Sequence, residues 1–263
     1  MMKKDVKLYK QLHPKACDML TAWPGIGNVS LIVAQYLRDK LRAEEIGEVL
    51  PFNFFDPIGV VVKDNVVETP QFPESKLYYW QNPVSDKGLV IFIGEEQPSF
   101  KCYELAHCVL DVAEKFKVRR VYTCAAAIAR IHHTETPRVW GVATDKKLVP
   151  ELEKYEVVLR GDLHIAGLNG LFLGVAKEKG MEGICLLGEV PSYATRIPNP
   201  KASLAIIEVL TKILAVGIDL SGLVSLAKEA EEEMKRIAAK AMGEFIDHFT
   251  EPLWEKKKEE EEE

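Results

Sequence analysis

Residues 17–41, CDMLTAWPGIGNVSLIVAQYLRDKL, decide how the rest of the chain is read. A short apolar segment, Met19 to Trp23, runs through Pro24-Gly25-Ile26-Gly27-Asn28 into a stretch with apolar residues at Val29, Ile32, Val33, Tyr36, Leu37 and Leu41. That three-to-four spacing predicts a helix with one buried face. A strand, a tight glycine turn and a helix form the opening half of a β-α unit, which favours a layered α/β fold. The Gly-x-Gly turn could aim helix-start N–H groups at an anion, which makes Gly25, Gly27 and Asn28 candidate crevice residues. Ser30 and the Leu and Ile after it do not complete G-x-G-x-x-G, and the stretch is no P-loop.

Outward from this stretch, strand and helix patterns alternate. Glu48 to Pro57 and Ile58 to Val62 read as strand segments broken by Pro51 and Pro57, with Lys63-Asp64-Asn65 as a hairpin turn into Val66-Val67. Leu77 to Trp80 is an aromatic strand. Leu89 to Ile93 is apolar on both faces, as a central strand under helices should be. Ser99 is the expected cap of a helix reaching about Lys117. Val121 to Ala127, Arg138 to Ala143 and Gly183 to Leu187 follow as strands; Val157 to Arg160 and a Gly-rich turn through Gly170 lead to a helix over Leu171 to Lys179, and another helix covers Lys201 to Val216. This alternation predicts a three-layer α/β/α fold around a mixed, mainly parallel sheet.

From Ser221 the character changes. Leu226, Ala227, Ala230, Met234, Ile237, Ala238, Ala241, Phe245 and Phe249 draw an apolar stripe along a long charged helix, a shallow heptad-like seam. The expected organisation is a core domain over 1–220, a C-terminal amphipathic helix over 221–252 and a charged tail over 253–263. Met234, Ile237, Ala241, Phe245, Phe249 and Trp254 are the candidate oligomer or partner contacts.

The 263 residues suit one large α/β domain with an appendage. A formal charge of -6 argues against nucleic acid as the main partner, since phosphate binding needs a basic face. The five cysteines are odd in number, lack C-x-x-C and mostly sit in apolar surroundings, which suggests a reducing cytoplasm. The polar N-terminus and the absence of any run of 18 apolar residues predict neither a signal peptide nor a membrane span.

Candidate chemistry is sparse. His132-His133 with Glu135 lacks a third ligand at metal spacing, because adjacent histidines diverge on a strand or helix. The pair is better read as a loop that bonds to nearby backbone. Ser192 is in no G-x-S-x-G elbow, and Cys124 reads as a packed core thiol. Glu95-Glu96, Arg130, Glu189 and Arg196 all follow predicted strands, where α/β folds hold ligands. Together they could bind an anionic small molecule, or form the polar rim of an empty crevice. No catalytic residue, metal or cofactor is assigned.

Four stretches, taken in order, carry a resemblance. They are Pro24-Gly25-Ile26-Gly27-Asn28-Val29, Ala166-Gly167-Leu168-Asn169-Gly170-Leu171, Leu187-Gly188-Glu189 through Ser192-Tyr193, and Asn199-Pro200-Lys201-Ala202 ahead of Gly217-Ile218-Asp219. Over residues 15 to 220 the chain resembles the archaeal proteasome-assembly-chaperone family, relatives of the second eukaryotic proteasome assembly chaperone. It looks most like the homopentameric archaeal homologue. The resemblance implies an α/β/α fold with the architecture of purine nucleoside phosphorylases. It also implies a non-enzymatic, homo-oligomeric assembly factor whose partners are itself, proteasome α-subunits or a paralogous chaperone. Members that dock on the α-ring carry a C-terminal hydrophobic-Tyr-any tripeptide. This sequence ends Glu261-Glu262-Glu263 with no Tyr after Tyr193, so a scaffold-type paralogue is expected. The competing expectation is a nucleoside- or carboxylate-directed enzyme using the strand-end crevice.

Overall fold

The computed structural model describes residues 5–12, 14, 16–159 and 161–250, without the side chains of residues 238 and 241–250. Arg160 and the tail over 253–263 lie outside the described residues. Ten strands are assigned among them: β1 (Val6–Leu8), β2 (Ala16–Ala22), β3 (Glu44–Val49), β4 (Val62–Lys63), β5 (Val66–Val67), β6 (Ser75–Gln81), β7 (Lys87–Gly94), β8 (Val118–Ala129), β9 (Val139–Ala143) and β10 (Glu182–Pro191). The helices are α1 (Val29–Leu41), α2 (Cys102–Lys115), the short α3 (Val149–Leu152), α4 (Leu168–Glu178), α5 (Pro200–Leu214) and α6 (Ser221–Thr250). Eight strands form one mixed sheet in the order β1-β3-β6-β7-β2-β8-β10-β9. Its centre, β7-β2-β8-β10, is parallel, and its flanks are antiparallel. β4 and β5 make a separate hairpin.

The strand periodicity feeds two cores, because successive side chains point to opposite faces. Met19 and Trp23 of the first β-α unit join Val90 and Phe92 against α2 and α4. Leu20 and Ala22 join Leu89, Ile91 and Ile93 against α1 and α5. The expected three-layer α/β/α fold is therefore the one observed. α1 leaves β2 toward one edge of the sheet, whereas β8 leads toward β10 at the other. This divergence creates a topological switch point between β2 and β8, the usual place for a crevice.

α6 is rooted on α1. The Tyr36 hydroxyl donates to the Asp219 carbonyl at 3.0 Å and accepts from the Leu223 N–H at 3.2 Å. Asp219 accepts from the Ser221 N–H and pairs with Lys40 at 2.7 Å. Leu223, Ala227 and Met234 then face inward and are buried. Several local expectations are corrected. Pro51–Asn53 is a 3-10 turn, and no strand is assigned between Val49 and Val62. Ser99 does not cap α2; Lys101, with φ 62°, precedes it. Val158 makes an isolated bridge to Trp140.

Candidate functional site

At the switch point lies a cleft of about 610 Å³. Gly25, Ile26 and Ser30 line it from the turn after β2, Ala125 to Ala129 from the end of β8, and residues 162–167 from the approach to α4. The small residues at the end of β8 leave this space open. Asn169, in the first turn of α4, closes its floor. Its Oδ1 accepts from the Trp23 N–H at 3.1 Å and from the Ser30 hydroxyl at 3.2 Å, and its Nδ2 donates to the Trp23 carbonyl at 3.1 Å. Gln97 makes a second stitch. Its amide donates to the Pro24 carbonyl, and its Oε1 accepts from the Leu168 N–H at 2.8 Å. The two amides thus tie the turn after β2 to the start of α4, where the Leu168 donor is occupied. Asp162 and His164 are the titratable groups on the lining; Trp140, Ile165 and Leu187 supply apolar wall.

The six crevice candidates do not come together. Gly25 lines the cleft with an extended backbone, φ -170°. Gly27 is buried beside Asn199 instead. Its N–H donates to the Thr195 carbonyl at 3.2 Å and its carbonyl accepts from the Asn199 N–H at 2.8 Å. Asn28 is exposed, with φ 48°. The glycine turn therefore docks the segment before α5, where Asn199 caps the helix through Ala202 N–H at 2.9 Å. Arg130 and Arg196 are exposed and off the lining. Glu189 is the clearest correction to the reading of strand ends. β10 runs on to Pro191, so Glu189 is a buried strand residue. It takes the Arg138 guanidinium at 2.7 Å, the Arg138 N–H at 3.0 Å and Trp140 Nε1 at 3.0 Å. Burial works to raise its pKa, but these donors outweigh burial and hold it below the ordinary carboxylate value.

His132 and His133 stack at 4.0 Å between ring centroids in the loop after β8. The His132 N–H donates to Glu135 at 2.6 Å, and the His133 N–H donates to the Tyr193 hydroxyl at 2.8 Å. Lys201 bonds the His133 carbonyl and Glu231 of α6, so this loop also anchors α6. No cluster suited to a metal ion occurs among the described residues. On α6, Met234 is 6% exposed against this loop, whereas Ile237 is 45% exposed. The side chains of Ala241, Phe245 and Phe249, and Trp254 altogether, lie outside the described residues. Sequence reasoning missed the Asn169 and Gln97 clamps, since each joins groups far apart in the chain. No helix among the described residues is long and apolar enough to cross a membrane.

Comparison with known proteins fits this geometry. The model of the PAC2 family matches residues 19–238. Uncharacterized protein MJ1210 of Methanocaldococcus jannaschii is 28% identical over 223 residues, covering 83% of this chain and 82% of its own. Among solved structures, Pyrococcus furiosus PbaB, described as an archaeal proteasome activator, superposes with a TM-score of 0.76 at 29% identity, covering 90% of this chain and 100% of that one. PbaA from the same organism, described as an archaeal homolog of proteasome-assembly chaperone, gives 0.68 at 25% identity, covering 88% and 96%.

Proposed function

The chain belongs to the PAC2 family, and from that premise we propose that it is a homo-oligomeric, proteasome-assembly-chaperone-like protein or adaptor that works through protein–protein contacts in the cytoplasm. Its partners on this reading are other copies of itself and either proteasome α-subunits or a paralogous chaperone, with a pentamer the assembly that the family resemblance suggests. On this reading residues 221–252 serve as the contact element and 253–263 as a charged tail. The likeness to PbaB and PbaA supports the proteasome side of the proposal.

The observation that carries the reading is the state of the polar groups at the cleft and beside it. Asn169 and Gln97 are engaged with backbone, and Glu189 is engaged with Arg138 and Trp140. An enzyme acting on an anionic metabolite needs charged side chains converging on one pocket; here Arg130, Glu189 and Arg196 are absent from the lining. Capture of purified archaeal proteasome α-subunits by the immobilised full chain is the test, with sedimentation of the full chain alongside. The expected result is retention of the α-subunits and a species heavier than the 29.6 kDa monomer. A monomer that retains no α-subunit, yet melts several degrees higher with a nucleoside or with phosphate, would replace this reading with the enzymatic one.

A further inference from the structure

Between Pro57 and Glu68 the chain reads PIGVVVKDNVVE, and its apolar side chains lie in solvent. β4 and β5 pair antiparallel, Val62 opposite Val67, through a turn in which Asp64 and Asn65 both have positive φ. That two-residue turn matches strand twist and makes a well-defined hairpin. Alternation puts Val62 and Val67 on one face and Val61 and Val66 on the other. Both faces are exposed, and Ile58 and Val60 at the base are exposed too. A two-stranded hairpin with neither face covered is marginal in water. The six side chains, spread over both faces, leave apolar surface on the order of several hundred Å². That area is a substantial part of the roughly 800 Å² each partner contributes to a standard interface.

A complementary surface exists on the same chain. The switch-point cleft is walled by alanines and by exposed Ile26, Ile128 and Leu163, and the two amides at its base are satisfied without a ligand. Beside Asp162 and His164, the alanine and isoleucine part of that lining offers apolar surface to valine side chains. The arm's base and the cleft share Gln97 as a wall, so both lie at one end of the sheet. The arm does not fill its own cleft, since its valines remain exposed. We propose that the hairpin around Val61, Val62, Val66 and Val67 is an assembly arm that seats in the cleft beside Ile128 of a second copy of this chain. This rests on the reading that the chain self-assembles, and it names the surfaces involved.

The experiment compares sedimentation of the full chain with an arm variant, Val62→Asp/Val67→Asp, and a cleft variant, Ile128→Asp, all at micromolar concentration. Circular dichroism checks that each is folded. The substituted positions are exposed in the monomer, so the fold should survive. Both variants are expected to fall to monomers, with self-association weakened about 100-fold or more, because each places a charge in a dry contact. Mixing them should restore heavier species, since one supplies an intact arm and the other an intact cleft. An arm variant that assembles like the parent chain overturns the proposal and leaves self-assembly intact. A monomeric arm variant beside an oligomeric cleft variant also overturns it, because the arm then docks elsewhere. A parent chain that is monomeric overturns this proposal and the self-assembly reading together. Loss of α-subunit capture by an arm variant that remains oligomeric would reassign the arm to that partner.

Discussion

Gly25 and Gly27 look equivalent in sequence, and the structure separates them. Gly27 has φ 62°, and an added Cβ would stand 3.0 Å from the Asn199 Cβ, whereas Gly25 is extended and its nearest such neighbour, Asn169 Nδ2, is 3.7 Å away. Gly27→Ala should therefore cost about 1–2 kcal/mol, the left-handed penalty of a Cβ, while Gly25→Ala stays within about 0.5 kcal/mol. Urea unfolding of the two variants decides it. Glu189 carries a pH prediction. Its pKa is held below the ordinary 4.5, so its contribution is present above that value and is lost as pH falls through the lowered one. Arg138→Met removes the principal donor from a carboxylate that is 1% exposed. The variant should be less stable than the parent at pH 7, by less than a fully buried pair would lose because the guanidinium is 59% exposed. Unfolding measured from pH 7 to 3 should show the gap between variant and parent closing as Glu189 protonates. The turn was legible here because its glycines are local. The engagement of Glu189 was not, because its partners lie 49 and 51 residues away.

At the scale of elements, periodicity located the strands and helices that build the two cores but could not choose which face of α6 is used. The stripe read from Leu226 onward mixes two lines. The inward line is Leu223, Ala227 and Met234, and it packs on α5 and the His132-His133 loop; Leu226 and Ile237 lie off it and are exposed. Leu223 sits before the stripe's first expected residue, and Tyr36 on α1, which receives its N–H, is 187 residues away. Leu223→Ala should thus destabilise the folded chain by about 2–4 kcal/mol, as for other buried leucines, and Ile237→Ala by less than about 0.5 kcal/mol. Denaturation at protein concentrations low enough to keep the chain monomeric provides the check. Equal losses would mean that the outer half of α6 is also packed within the monomer. β10 teaches the same lesson about ends. Its core residues announced a strand, yet only pairing with β8 carries it on to Pro191. Strand length is fixed by the neighbour as much as by composition.

The whole molecule presents an imbalance. The amides of Asn169 and Gln97 beneath its cleft are matched to backbone, whereas the arm and the cleft at one end of the sheet leave apolar side chains in water. The three-layer fold was readable because alternating strand and helix patterns leave few ways to bury both faces of a sheet. The cleft was less readable, because it depends on where β8 ends relative to the approach to α4. Self-assembly makes a thermodynamic prediction that a monomer with the same exposed valines does not. Association adds a concentration term to stability, so the melting temperature should climb with protein concentration. Even in a dimer, each chain takes half of the 1.4 kcal/mol that a tenfold rise supplies. For a chain of this size that amounts to about 1–3 °C per tenfold. Scanning calorimetry across two decades of concentration should show this slope for the parent chain. It should be flat for Val62→Asp/Val67→Asp, whose melting point should converge on the parent's at the dilute end. A flat parent curve would mean that the exposed valines contribute nothing to association, and that the end of the sheet carrying them is simply solvated.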